Sequence, residues 1–247
     1  MVCSVWQNFV CGFDYVVVIF DKNYYINSDR FDNGDNKAVY ASALYARRAI
    51  EDIAKAFGLK YFAMADDDIK DFVIRCPDDG HLRRFPVTDF DTIIDSYIDI
   101  LDRGAVCTGF GIDRSYFGGV LAFAPDRLSS RIFPYNFFIR RADVEVNWTA
   151  WTAEDDITVL QSSNVGNLWL SIPHVMQVTP LMANVNHVGG NVELYQCYNK
   201  YTIYYTVIKY CPGRIYLRMN DTNDIKISRR TNNCFPKLIS SIYRKEN

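Results

Sequence analysis

The chain has 247 residues, 49% of them hydrophobic and 23% charged, which suits a globular protein with one sizeable core. A formal net charge of −2 excludes the strong global positive field of a nonspecific nucleic-acid binder and leaves only a local basic patch open. No apolar run approaches the roughly 18 residues that a membrane-crossing helix needs, and seven scattered cysteines without a CxxC pair suit reduced thiols in a cytosol. One domain over residues 1–247 and a cytoplasmic location are therefore expected. Aromatic residues are frequent, including 17 Tyr. Tyr and Asn have AT-rich codons, which hints at a phage or another AT-rich genome.

In chain order, "MVCSVWQNFVCGFD" (residues 1–14) reads as a helix leading into a strand. "YVVVIF" (15–20) is a continuous β-branched run, the mark of a buried parallel strand. After a polar stretch through Asn36, residues 38–58 read as a long helix, rich in Ala at helical spacing, with Gly58 placed to cap its end. "YFAMA" (61–65) is the next buried strand and delivers Asp66, Asp67 and Asp68. Strand, helix and strand predict a βαβ unit, and such sheets place ligands at the carboxyl ends of their strands. "CPDDGHLRRFPVTD" (76–89) reads as a polar loop, and residues 90–104 as a second amphipathic helix. Extended segments are expected at "AVCTGFG" (105–111), 118–128, "NFFIRRADVEVNW" (136–148) and "LWLSIPHVMQVTP" (168–180), with a helix over 153–166 that opens on acids. Residues 201–219 are aromatic and β-branched, and the remaining tail offers a strand, a basic turn and a partial helix. The class is α/β.

Three aspartates in a row at the exit of an apolar strand repel one another and resist burial unless a cation sits among them. Oxygen-only ligands suit Mg²⁺ or Mn²⁺ bridging to ligand phosphates. A solvated turn with capping acids is the competing reading.

The order "ARRAIEDIAKAFGLKYFAMADDDI" resembles the nucleotide-sugar glycosyltransferases of GT-A type, whose pattern is an Arg-bearing helix, a Gly, a hydrophobic strand and a DxD motif. "WTAEDDI" resembles the acidic motif opening the helix beneath their acceptor site, and "NHVGGN" their late His-containing loop. Within that group the chain resembles the TET/JBP-associated glycosyltransferases, phage and eukaryotic relatives linked to hypermodified pyrimidines in DNA. The resemblance implies a Rossmann-like mixed sheet flanked by helices. It also implies a nucleoside-diphosphate-sugar donor, expected to be a UDP-sugar, and a 5-hydroxymethylpyrimidine in DNA as acceptor. GT-A chains open with a strand and a nucleotide-binding Ser-x-x-Arg-like turn that residues 1–14 lack. "IKISRRTNNCFPKLISSI" (225–242) looks like that strand, so a circular permutant, with the tail beside residues 15–20, is expected.

The resemblance gives Asp66, Asp68 and His187 as Mn²⁺ or Mg²⁺ ligands, with Asp66 also able to meet the donor's ribose. Ser228, Arg229, Arg230, Arg47 and Arg48 are candidate nucleotide or diphosphate contacts, because guanidinium matches phosphate. One of Arg47 and Arg48 should face the cleft. Gly189 and Gly190 would admit the diphosphate to backbone amides, though a plain turn explains them as well. Asp155 is the expected base for the acceptor hydroxyl in an inverting transfer, and in a retaining one it would instead bind the acceptor or support the donor, with Glu154 and Asp156 beside it; helix capping is the bland alternative. His174 reads as structural and His81 as a surface residue. Basic residues in "HLRRF", "FIRRAD" and "SRRTNN" are candidate phosphate contacts. The competing functions are a nucleotidyltransferase and a non-catalytic sugar-nucleotide or DNA-binding module of the same fold.

Overall fold

The computed structural model describes residues 3–10, 13–28, 42–112, 136–179, 200–213, 215–219 and 225–229. The expected strand at 118–128 and the "NHVGGN" loop lie outside the described residues. The described strands are β1 (Cys3–Val10), β2 (Phe13–Phe20), β3 (Tyr61–Ala65), β4 (Asp71–Asp78), β5 (His81–Pro86), β6 (Cys107–Ile112), β7 (Phe137–Arg141), β8 (Trp169–Val178), β9 (Ile215–Met219) and β10 (Ile225–Arg229). The helices are α1 (Lys22–Ile26), α2 (Leu44–Ala56), α3 (Phe90–Asp102), α4 (Glu154–Asn164) and α5 (Lys200–Tyr210).

Six strands form a mixed sheet in the order β3-β7-β6-β8-β4-β5. Only β6 and β8 run parallel among these described pairs; the rest are antiparallel. Side chains of successive strand residues point to opposite faces, and the core divides accordingly. On one face Phe62, Met64, Cys107, Phe138 and Trp169 pack with Leu44, Ala49 and Ala54 of α2, Ile157 and Leu160 of α4, and Val207 of α5. On the other, Phe110, Phe137, Ile139 and Leu170 pack with Tyr97 and Leu101 of α3. The mixed sheet flanked by helices is the expected α/β architecture.

The N-terminal pairing differs from the expectation. Residues 3–10 form a strand, not a helix, in continuous antiparallel register with β2, from Cys3 opposite Phe20 to Val10 opposite Phe13. Only two residues separate β1 from β2; that spacing allows a hairpin, whereas a parallel crossover needs a dozen or more. The run "YVVVIF" thus belongs to an antiparallel ribbon, and among the described strands β2 and β3 lie in different sheets rather than in one βαβ unit. Strand β3 itself lies at a sheet edge and alternates buried Phe62 and Met64 with exposed Ala63 and Ala65. The tail differs too. Residues 225–229 are a strand, but their partner is β9, antiparallel from Ile225 opposite Met219 to Arg229 opposite Ile215. The permutant's placement beside residues 15–20 is therefore not the arrangement found. Pairing two strands this near in sequence costs less chain entropy than a pairing about 200 residues away.

The segment at 76–89 is mostly hairpin. Strands β4 and β5 meet at Asp78 opposite His81, and the intervening Asp79 and Gly80 have φ of 47° and 74°. Both left-handed positions match the Asp-Gly turn that right-twisted hairpins favour. Helix α2 ends as expected: Gly58 has φ of 64°, its N–H donates to Lys55 O, and the Leu59 N–H donates to Ala54 O. These two bonds make a Schellman cap.

Candidate functional site

Two acidic segments converge on the α2 side of the sheet. The first is Asp66–Asp67–Asp68, which follows β3. The Asp66 N–H donates to the carbonyl of Asn136 at 2.7 Å, which ties the end of β3 to the start of β7. Asn136 has φ of 59°, a left-handed conformation that Asn tolerates better than most residues. Asp67 and Asp68 are exposed. Burial raises the Asp66 carboxyl above its ordinary range; Arg47 opposes this, and Asp68 and Asp67 add to it. The repulsion expected of the triplet is thus present, and Arg47 answers it at Asp66.

The second segment opens α4. Its N-cap, Ala153, sits at φ 50°, ψ 34° and has no side-chain cap bond. A left-handed non-glycine residue is strained backbone, and such strain collects at functional turns. Glu154 is buried, and burial lifts its carboxyl, with Arg47 opposing. Asp155 keeps partial exposure, and its Oδ1 accepts the Asp156 N–H at 2.8 Å. Burial first, then the neighbouring Glu154 and Asp156, push its carboxyl up to about 8.

Arg47 joins the two segments. Its Nη2 donates to Asp66 Oδ1 at 3.2 Å, and its Nε lies 3.7 Å from Glu154 Oε1. The guanidinium carbon is 5.4 Å from the ring centres of both Phe138 and Trp148. Arg48, half-buried, turns elsewhere and donates to the Val146 carbonyl at 3.4 Å. Of the pair, Arg47 faces the acids and Arg48 does not. Gln161 of α4 accepts from the Thr149 hydroxyl at 3.1 Å and ties the helix to the segment that follows β7.

The site has a support that the sequence reading did not find. Glu51, one helical turn after Arg47, accepts from the Trp148 indole N–H and from Arg140. All three side chains are buried. Arg140 also donates to the Val144 carbonyl at 2.7 Å. "FIRRAD" is therefore not a phosphate-binding surface at Arg140, and Arg141 pairs with Asp143. The available signal was helical and strand spacing: Arg47 and Glu51 stand on α2's apolar stripe, and Arg140 stands two residues after Phe138 in an apolar strand.

His81 is exposed on β5, as expected, and His174 is half-buried in β8. Ser228 and Arg229 lie in β10, in the ribbon with β9. His187, Gly189, Gly190 and Arg230 lie outside the described residues. Among the described residues no three His, Cys, Asp or Glu side chains are grouped to hold a metal ion. Asp66 Oδ1 is engaged by Arg47, and Asp67 and Asp68 follow it exposed; carboxylate oxygens are the donor type that a hard divalent cation takes. No helix among the described residues is long and apolar enough to cross a membrane.

A family model described as TET-Associated Glycosyltransferase matches residues 14–188, a span that includes both acidic segments, Arg47 and the whole six-stranded sheet. No curated protein and no solved structure matches the chain. With well over half of its length matched by that model, the chain belongs to the TET-associated glycosyltransferases and is a glycosyltransferase.

Proposed function

We propose that the chain transfers a sugar from a nucleoside-diphosphate donor, a UDP-sugar, to the hydroxyl of a 5-hydroxymethylpyrimidine in DNA, with a divalent cation at Asp66 and Asp68. The observation that carries this reading is the convergence of two acidic segments on Arg47, one at a strand end and one at the start of α4. Asp66 and Asp68 would hold the cation, with His187 as a third ligand; Ser228, Arg229, Arg230, Gly189 and Gly190 are proposed around the nucleotide and diphosphate. When bound, Mn²⁺ or Mg²⁺ supplies positive charge against the negative charge of the leaving diphosphate. Asp155 takes the proton of the acceptor hydroxyl as its oxygen bonds to the sugar carbon and the nucleoside diphosphate departs. A base works best with a pKa near the operating pH, and a carboxyl raised to about 8 meets that need. A target inside a duplex must be reached in the groove or flipped out.

The test is incubation with Mn²⁺, a panel of nucleotide sugars and hydroxymethylated DNA, followed by digestion and mass analysis of the nucleosides. A mass gain of one sugar, lost on chelation, is expected. No gain with any donor, alongside metal-dependent diphosphate binding, would leave a binding module instead. Asp68→Asn should abolish the Mn²⁺ dependence of diphosphate binding in calorimetry while the melting transition persists; unchanged affinity with and without chelator would remove Asp68 from the metal site.

A further inference from the structure

Arg47 occupies a place that a diphosphate contact would not. Its side chain is only 8% exposed. Phe138 and Trp148 approach the guanidinium, and its bonding edge is turned to protein: Asp66 at Nη2, the Met64 sulfur at 4.0 Å from Nη1, and Glu154 near Nε. Nε itself is buried without a hydrogen bond, so the geometry relies on charge across the 3.7 Å gap to Glu154. A diphosphate would have to displace Asp66 to reach this fork. Trp148 is in turn held by Glu51, and Glu51 by Arg140, so the aromatic contact is fixed from behind. Asp66 is fixed by its amide to Asn136, and Glu154 by the strained turn at Ala153.

We propose that Arg47 is a positioning residue that couples the two ends of the site: its single planar guanidinium sets Asp66, at the end of β3, against Glu154, at the start of α4. This rests on the transfer reading above, with Asp66 on the donor side and the α4 acids on the acceptor side. Lysine cannot replace it, because one ammonium lacks the rigid fork and the flat face that meet two carboxylates and two rings together.

In the full chain, Arg47→Lys should bind uridine diphosphate with Mn²⁺ within about threefold of the parent, yet lose at least about tenfold in turnover at saturating donor, the signature of a lost transition-state arrangement. Adding Glu154→Gln to Arg47→Lys should cost little more than the worse single change, because both break one unit. A loss of diphosphate affinity with unchanged turnover would make Arg47 a donor contact, and a lower melting temperature with unchanged kcat and KM would make it structural; either result overturns the proposal. A second measurement needs no activity. In the parent, burial works against both carboxylates and Arg47 works for them, so the readout is the difference between backgrounds. Asp66→Asn and Glu154→Gln should each shift the melting temperature upward in an Arg47→Met background relative to their shift in the parent, because without the guanidinium each removes an uncompensated carboxylate. Equal shifts in the two backgrounds overturn the bridge. Background-dependent shifts in a chain that transfers no sugar would overturn the proposed function and leave the bridge standing.

Discussion

Asp155 is the residue whose chemistry is most exposed to test. Its carboxyl is pushed up to about 8 by burial, then by Glu154 and Asp156, with Arg47 opposing. If it removes the acceptor proton, Asp155→Asn should keep donor affinity and lose roughly 10²–10⁴-fold in turnover, the usual cost of a missing general base. Glu154→Gln should cost less, through Arg47, and Asp156→Asn least. Equal and mild effects from all three, measured by steady-state kinetics, would reduce the cluster to a helix cap. The same raised carboxyl has a stability consequence. An unfolded Asp titrates near 3.9, so between about 4 and 8 the native state binds the extra proton and stability falls as pH rises. Asp155→Asn lacks that slope. Its melting temperature should therefore gain on the parent's progressively from about pH 5 to pH 8, and a constant gap across that window would rule out the shift. The sequence made the acids legible, since three aspartates at a strand exit and three acids at a helix start are local patterns. It did not reveal that one guanidinium serves both clusters, because Arg47 and Glu154 lie over 100 positions apart and only tertiary packing brings them together.

At the scale of elements, the end of a helix is more legible in this sequence than the turn of a hairpin. Gly58 was legible because a glycine after an amphipathic run has one dominant use. The polarity of the stretch "PDDGH" points to a loop, although an Asp-Gly pair between two extended runs is a strong hairpin signal. Its flanks misled: Arg75, Arg83 and Arg84 break the apolar alternation, and β5 sits at the sheet edge, where little but β4 covers it. Edge strands keep polar side chains because burial asks little of them. Helix α2 carries Arg47 and Glu51, so its end matters to the site's frame. A Cβ built on Gly58 meets nothing within 4 Å, which makes the cost of Gly58→Ala purely conformational. We expect a loss of about 1 kcal/mol, the penalty of a left-handed residue with a side chain. Gly58→Asn should lose less. Chemical denaturation should show a lower midpoint at unchanged slope; a midpoint equal to the parent's would mean that the cap relaxes at no cost.

Across the whole molecule, strands are legible in the sequence but their partners are not. An apolar β-branched run says that a segment is extended and covered; it does not say by which neighbour. The family's usual opening strand implies β2 and the tail strand side by side, whereas the described ladders outside the main sheet are local ribbons, β1 with β2 and β9 with β10. All six strands of the main sheet come from residues 61–178, within the span matched to the family. That difference can be measured. If the tail supplied a central strand, a chain ending at about residue 222 would expose an open sheet edge and would aggregate or fail to fold. With β10 paired only to β9 among the described strands, the same truncation removes one strand of a two-stranded ribbon and leaves the six-stranded ladder and both of its packed faces in place. Helix α5, whose Val207 and Cys211 end pack into the α2 face, is also retained. The shortened chain should therefore remain soluble and melt in one cooperative step, at a temperature lowered by the lost ribbon. Loss of solubility or of the cooperative transition would return the tail to the sheet and restore the permuted arrangement.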